Sequence, residues 1–209
     1  QLLEAGDELY FDFTHGFRYL PMFVLVFGNY AKYLKKITIA HMSYGNFEMQ
    51  GATKQIMDLR PLASLQDWTS SAVSFCEMGR IQSLTNTMKE DAKTNKTLYA
   101  LNSSLKKFAT QIETCRGKKI IEGKEAETIK SSVRTLIEAK ALPEPISQIL
   151  LSIREAIQPF EANSMNNIIA ALKWCKQFRL VQQGYTLCQE GLITMVCERF
   201  ANLNPYDSI

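Results

Sequence analysis

The chain has 209 residues, of which 46% are hydrophobic and 22% charged, and its formal net charge is +3. These values are typical of a globular protein that forms one large domain or two small ones. The longest apolar run, Leu20 to Phe27, is too short to cross a bilayer, so the sequence argues against a membrane-spanning protein.

The first predicted elements are a strand and a helix. Glu8 to Phe13 is short, rich in aromatic residues and bounded by turn residues, which favours a buried strand. Pro21 fits the first turn of a helix but clashes deeper inside one, so a helix is predicted from about Leu20 to Lys36. Thr14 to Tyr19 is therefore predicted to be a loop. Apolar side chains wrap most of the helix, which indicates contact with a sheet face and with a second subunit.

A second strand is predicted over Ile37 to Ser43, directly after the helix. A strand, a helix and a strand of these lengths form a parallel, right-handed crossover. Both strands then end at one edge of the sheet, where open parallel sheets bind ligands. Thr14 to Arg18 should therefore lie beside Tyr44 and Gly45. Tyr44 could stack on a base there, or could simply pack at the end of the strand.

The loop after the first strand carries groups that bind phosphate. Thr14, His15 and Gly16 place a hydroxyl, an imidazole and backbone N–H groups at one spot, and Arg18 adds a fixed positive charge. The alternative for His15 is a local turn that its hydrogen bonds stabilise. Asp12 could orient His15 or cap the nearby helix.

The sequence offers no metal site. His15 and His41 are the only histidines, and His41, in the middle of a strand, is predicted to be packed. No second carboxylate lies close to Asp12 in sequence. The five cysteines form no Cys-x-x-Cys pair, so we expect reduced, buried thiols in a cytoplasmic protein. These cysteines are Cys76, Cys115, Cys175, Cys188 and Cys197.

The remainder of the chain is predicted to be helical after a short extended piece at Asp58 to Leu62. That piece leads into a helix with Pro61 in its first turn, and Gly79 is the expected C-cap. From Ile81 onward the apolar spacing is helical wherever it is regular. We place a domain boundary near residue 85.

Apolar stripes predict further helices in this second region, and polar or breaking segments predict the connections. Arg116 to Lys119 is predicted to be a basic loop, Pro143 to Pro145 a break, and Gln182 to Tyr185 a tight turn between two antiparallel helices. The stripes lie over Leu98–Ile112, Ile129–Ile137, Ile149–Ile157, Ile168–Phe178 and Cys188–Val196.

The positive charge is concentrated in this helical region. Residues 1–80 carry seven basic and eight acidic side chains, whereas residues 81–209 carry 17 basic and 13 acidic ones. A mildly basic domain suits contact with nucleic acid, but a solvated helical surface has the same composition, and we favour the second interpretation.

The residues after the first strand also match a known family. Asp12-x-Thr14-His15-Gly16-x-Arg18 closely resembles the Asp-x-Thr-His-Gly signature of CRISPR-associated proteins that join a Rossmann-type CARF sensor domain to a helical HEPN ribonuclease domain. The similarity fades across residues 90 to 160 and is partly recoverable in the final hairpin. Further matching segments are Arg18-x-Leu20-Pro21, Tyr44-Gly45-x-Phe47-Glu48, Asp58-Leu59-x-Pro61-Leu62, Asp67-Trp68, Trp174, Gln182-Gln183-Gly184-Tyr185 and Glu190-Gly191-Leu192.

The resemblance implies an α/β plus all-α chain. Residues 1–85 would be the later part of a parallel-sheet sensor domain, and residues 86–209 a helical HEPN-like domain that lacks its catalytic end. Gln1 is not a start residue, so we expect a fragment of a longer protein. In the family, a sensor dimer binds cyclic oligoadenylate and activates a metal-independent ribonuclease that cuts single-stranded RNA. The expected assembly is a homodimer or a higher even oligomer without a cofactor.

The resemblance also implies ligand-binding roles for residues at the sheet edge. Those residues are Thr14, His15, Gly16, Arg18, Tyr44 and Gly45, with Asp12 in support. The family cuts RNA with an Arg and a His a few residues apart, and no histidine follows His41. We therefore expect no catalytic residue in this chain and a catalytic motif beyond Ile209. The alternatives are a non-catalytic regulator and a sensor that degrades its own ligand.

Overall fold

A computed structural model describes residues 3–46 and 55–200. The chain divides into two compact units, Gln1–Asp67 and Trp68–Ile209. Phe47 and Glu48, which belong to the family resemblance, lie outside the described residues, as does the chain after Phe200.

The first unit is built around a three-stranded sheet. β1 (Glu8–Asp12) and β2 (Thr38–Gly45) are parallel, and α1 (Leu20–Lys35) connects them. The predicted strands, crossover helix and loop are confirmed. β3 (Ile56–Asp58) pairs with the far side of β2 in the antiparallel direction, so the sheet has the order β1-β2-β3. The predicted parallel pairing of β1 and β2 is therefore found, and the antiparallel β3 makes the described sheet mixed.

One face of β1 packs against a small core and its other face is exposed. Phe13 and Met42 are buried in a small core. Glu8, Tyr10 and Asp12 alternate with half-buried residues and are exposed, so the prediction that β1 is buried holds for one face only. His41 is also exposed, and the prediction that it is packed is wrong, because it pairs with Tyr10 and shares its open face. The core of the first unit is completed by Phe11, Leu20, Val24, Leu25, Ile39, Tyr44, Leu59 and Ala63.

Helix α1 begins as its proline predicts, with Pro21 in the first turn. Val24 packs against the core of the sheet. The apolar side chains on its other sides remain exposed within the chain, so the expected burial on more than one side is not found, and a subunit interface there stays a prediction. The exposed residues are Met22, Phe23, Val26, Phe27, Tyr30, Tyr33 and Leu34.

The described chain from Arg60 onward is helical, as predicted. α2 begins in the first unit and ends in the second, so the division between the units lies inside this helix, whereas the assignment of residues 1–85 and 86–209 to two family domains stays a prediction. The helices are α2 (Arg60–Met78), α3 (Gln82–Thr87), a 3-10 turn (Asp91–Lys93), α4 (Lys96–Glu113), α5 (Gly117–Glu122), α6 (Lys124–Glu138), α7 (Glu144–Ile157), α8 (Asn166–Gln177) and α9 (Val181–Phe200).

Two predicted connections are wrong. The segment Arg116 to Lys119 is not a loop, because α5 begins at Gly117. The turn before the last helix lies at Phe178 to Leu180, where Arg179 has a φ of 57°, so Gln182 to Tyr185 belongs to α9. Gly79 ends α2 as predicted, with a φ of 67°.

Within residues 3–46 and 55–200, every helix falls short of the length and apolar character that a membrane crossing requires.

The last helix buries Leu187 and two small residues and exposes most of its other large side chains. Gly191 and Thr194 are buried, and a Cβ at Gly191 would lie 2.6 Å from Ile168 Cγ2 of α8. The predicted stripe of α9 therefore faces outward for the most part. Exposed apolar residues of this helix are Val181, Tyr185, Leu192, Ile193, Met195, Val196 and Phe200.

A buried asparagine ties three segments of the second unit together. Asn167 Nδ2 donates to Glu161 O (2.7 Å), Ile120 O (2.9 Å) and Ile121 O (3.2 Å), and its Oδ1 accepts from Glu161 N (2.8 Å). Gly123 lies beside this network with a φ of 64°, and a Cβ there would lie 1.9 Å from Glu161 O. The backbone groups around Asn167 therefore depend on its amide and on the absence of a side chain at Gly123.

Candidate ligand site at the sheet edge

The ends of β1 and β2 are joined by a clasp of three residues, Asp12, Thr14 and Gly45. Asp12 Oδ1 accepts hydrogen bonds from Thr14 N (2.9 Å) and Thr14 Oγ1 (2.6 Å). Thr14 Oγ1 in turn accepts from Gly45 N at 2.9 Å. The threonine hydroxyl thus donates its single proton to Asp12 of β1 and accepts the N–H of Gly45 of β2 through a lone pair. We call these residues the edge clasp.

Gly45 is required by this close approach. A Cβ at position 45 would lie 2.9 Å from Thr14 Cγ2 and 3.0 Å from Thr14 Oγ1. The backbone after β1 is held as well, because Phe13 N donates to Ser43 O (2.9 Å) and Gly16 N donates to Phe13 O (3.0 Å). The residues before His15 are therefore bound to β2, and the bond from Gly16 N to Phe13 O closes the turn around His15.

The Asp12 carboxylate is stabilised in its ionised form. Hydrogen bonds from the side chain and the backbone of Thr14 lower the pKa of Asp12, and the nearby His15 and His41 add a smaller electrostatic effect. Asp12 does not cap α1, since the N-cap position, Tyr19, has no side-chain cap bond. Its bonds to Thr14 show that Asp12 shapes the loop.

Of the predicted ligand-binding residues, Thr14 and Gly45 meet at this edge, as the strand topology required. Thr14 contacts Gly45 directly, and His15 and Arg18 are exposed in the loop that the edge clasp holds. Tyr44 is half-buried against the core of the first unit. The structure thus shows the packing alternative for Tyr44, whereas contact of any of these residues with a ligand stays a prediction.

A second carboxylate reaches the same edge, which sequence spacing did not reveal. Ser43 on the central strand pairs with Asp12 on one side and with Asp58 on the other. Arg60 Nη2 lies 2.6 Å from Asp58 Oδ2. The sequence indicated an extended segment at Asp58 to Leu62. Only the pairing of β3 with β2, however, brings Asp58 to the edge of the sheet where Asp12 lies. Among the described residues, no group of three or more potential ligand side chains could hold a metal ion.

Removing the Arg60 side chain is predicted to change the titration of Asp58. Hydrogen bonds from the side chain and the backbone of Arg60 lower the pKa of Asp58 from 3.8 to about 2. Arg60→Ala should raise that pKa toward 3.8, which an NMR titration of the carboxyl carbon would measure. Because the pKa of Asp58 is lower in the folded protein than in the unfolded chain, its pairing with Arg60 stabilises the folded state. This stabilisation is complete above pH 3.8 and is lost as the pH falls toward 2.

The matched control for this titration is Arg134→Ala. Arg134 pairs with Glu138 on the surface of α6 at 3.9 Å, so its removal should leave the pKa of Asp58 unchanged. An Asp58 pKa that stays near 2 in Arg60→Ala would contradict the assignment of the shift to Arg60.

Comparison with known proteins adds one distant relative. No protein-family model matches the chain. The chain is 22% identical over 199 residues to CRISPR-associated protein MJ1674 of Methanocaldococcus jannaschii. The aligned region covers 93% of this chain and 30% of that protein, so the chain spans about a third of its relative's length. The chain is therefore similar to a CRISPR-associated protein over nearly all of its residues.

Proposed function

We propose that this chain belongs to a CRISPR-associated defence protein in which the sheet edge of the first unit senses cyclic oligoadenylate. Binding of that signal would activate a ribonuclease that includes the helical second unit. Two lines of support are the Asp-x-Thr-His-Gly resemblance around Thr14 and the similarity to a CRISPR-associated protein along 93% of the chain. The proposed substrate of the whole protein is single-stranded RNA, and the proposed compartment is the cytoplasm.

The edge clasp is the observation that carries the proposal. It fixes the His15 turn at the carboxyl ends of two parallel strands, which is where open sheets of this kind bind ligands. His15 and Arg18 are exposed beside it and suit an anionic ligand. A cyclic oligoadenylate carries one phosphate per adenosine, so a two-fold dimer would present this loop twice to a ligand of matching symmetry.

Binding of the cyclic ligand to the full-length protein tests the sensor proposal. Calorimetry with cyclic tetra-adenylate and cyclic hexa-adenylate should show binding of one of them, and His15→Ala should weaken it about tenfold, the value of one hydrogen bond to a charged group. His41→Ala is the matched control, because His41 is exposed on the sheet but lies outside the loop. Absence of binding to both ligands would refute the proposal.

A non-catalytic regulator is the second candidate, and one observation favours it. No histidine follows His41 in the sequence, so the chain itself lacks the imidazole that the family uses for RNA cleavage. RNA cleavage by the full-length protein in the presence of the cyclic ligand would rule out this candidate. The edge clasp weighs against a third candidate, degradation of the ligand, because both bonds of Thr14 Oγ1 have a structural role.

A further inference from the structure

A cavity in the second unit lies where three helices end. It is bordered by the last turns of α2, α4 and α8, and its volume of about 440 Å³ is within the range of small-molecule sites. Phe75, Phe108 and Trp174 line it, and each of these aromatic side chains is more than nine-tenths buried. The cavity therefore has a well-packed aromatic lining that suits an apolar group of a ligand.

Trp174 carries the polar group on which the site depends. The side chain is 8% exposed, and its indole N–H has no hydrogen-bond partner among the described residues. Among the unexposed residues that the structure describes, the one side-chain N or O atom that lacks a partner and is closed to solvent is Asn102 Oδ1. The Trp174 N–H is therefore open to a ligand. Because the N–H of a buried tryptophan usually has an acceptor, this donor favours a ligand that brings an oxygen into the cavity.

Side chains of both charges line the same cavity. Arg80 and Arg179 lie two residues beyond the ends of α2 and α8, and Glu77 and Glu113 lie in the last turns of α2 and α4. All four are exposed, and none of them forms an ion pair with a described residue. A guanidinium group binds a carboxylate, and a carboxylate binds an ammonium group. The lining thus offers partners for both charges of a zwitterion.

We propose that this cavity binds a free α-amino acid with a large apolar side chain. That side chain packs on Phe75 and Phe108, and a carboxylate oxygen accepts the Trp174 N–H. The arginines then pair with the carboxylate, and the glutamates with the ammonium group. The exposed charges alone would attract many ions, so the reachable N–H of the buried Trp174 is what selects a carboxylate with an apolar body. The site uses no residue of the sheet edge.

Three ligands with the same phenyl group test the two charges separately. L-Phenylalanine has both charges, L-phenylalanine amide lacks the carboxylate, and 3-phenylpropionate lacks the ammonium group. Calorimetry on the full chain should show that L-phenylalanine binds at least about tenfold more tightly than its amide, the effect of one hydrogen bond to a charged group. The affinity of 3-phenylpropionate should lie between the two, because it keeps the acceptor for Trp174 and loses only the contact with the glutamates.

The two tryptophans of the chain provide a direct measure of where the ligand binds. In a ¹⁵N-correlated NMR spectrum, assigned through the backbone, each indole N–H gives one signal. L-Phenylalanine should shift the signal of Trp174 and leave that of Trp68 unchanged. Trp68 is the internal control, since it is 1% exposed and does not line the cavity.

Substitutions test the donor and the cations separately. Trp174→Phe keeps an aromatic ring and removes the N–H, so the affinity for L-phenylalanine should fall about tenfold. The double variant Arg80→Gln with Arg179→Gln changes only exposed side chains and should also weaken binding, which keeps the test decisive if Trp174→Phe does not fold. Arg134→Gln is the control, because Arg134 is an exposed arginine of α6 that does not line the cavity.

The proposal is overturned if L-phenylalanine at millimolar concentration leaves the Trp174 signal in place, or if its amide binds equally well. Equal affinities of the double arginine variant and Arg134→Gln would overturn the assignment of the carboxylate to the arginines. His15→Ala should leave the affinity for L-phenylalanine unchanged, so the result does not depend on the sensor proposal.

Discussion

Replacing Asn167 by alanine is expected to lower the free energy of unfolding by about 3 kcal/mol or more. The side chain is fully buried, with a relative exposure of 0%. Its loss leaves the carbonyl groups of Ile120 and Glu161 and the N–H of Glu161 without this partner, whereas Ile121 O keeps the hydrogen bond from Ser164 N at 3.0 Å. Since each unsatisfied buried group costs about 1–3 kcal/mol, several of them together dominate the effect of the change.

Chemical denaturation with detection by circular dichroism measures this effect, and Asn166→Ala provides its control. Asn166 is the preceding residue of α8 and is exposed, so its replacement should change the free energy of unfolding by less than about 0.5 kcal/mol. Equal destabilisation by the two variants would show that the Asn167 amide has no special role in this network.

Removing the Thr14 hydroxyl is expected to weaken the proposed binding of cyclic oligoadenylate by at least about tenfold, the value of one or two hydrogen bonds. Thr14→Val keeps the shape of the side chain but breaks the bonds to Asp12 and Gly45 that hold the loop against β2. The His15 turn then loses its fixed position, and binding must order it again. Calorimetry with the full-length protein measures the loss.

Thr14→Ser is the control for the edge clasp. Serine retains the hydroxyl and removes only Cγ2, so the hydrogen bonds of Oγ1 can form and the affinity should stay within about twofold of the native value, well below the tenfold effect of one lost hydrogen bond. A serine variant as weak as the valine variant would mean that the methyl group, and not the hydroxyl, matters at this position.

The positions of glycine and proline correctly predicted the ends of some helices, but several connections between helices contain neither residue. Pro21 correctly predicted the start of α1, and Gly79 correctly predicted the end of α2. The two connections that were predicted at the wrong positions are in fact made by turns that contain Cys115 and Arg179. These residues adopt left-handed φ values of 52° and 57°. Non-glycine residues rarely take this conformation, so composition gave no sign of these turns.

The candidate site was predictable to the extent that it depends on topology. The parallel crossover alone brought Thr14 beside Gly45, since the carboxyl ends of parallel strands share an edge. The role of Asp12 was not predictable, because a carboxylate two residues before a threonine can orient several neighbours. The arrival of Asp58 at the same edge depended on a β3 pairing that local sequence does not encode.

The arrangement of α9 has a consequence for the handling of the protein in concentrated solution. This helix packs on α8 through small residues such as Gly191 and leaves Val181, Tyr185, Leu192 and Val196 exposed at helical spacing. An apolar strip of this kind promotes nonspecific association of copies as concentration rises. Because Leu192 is more than half exposed, a glutamate at that position would improve solubility while the contacts between α8 and α9 remain in place.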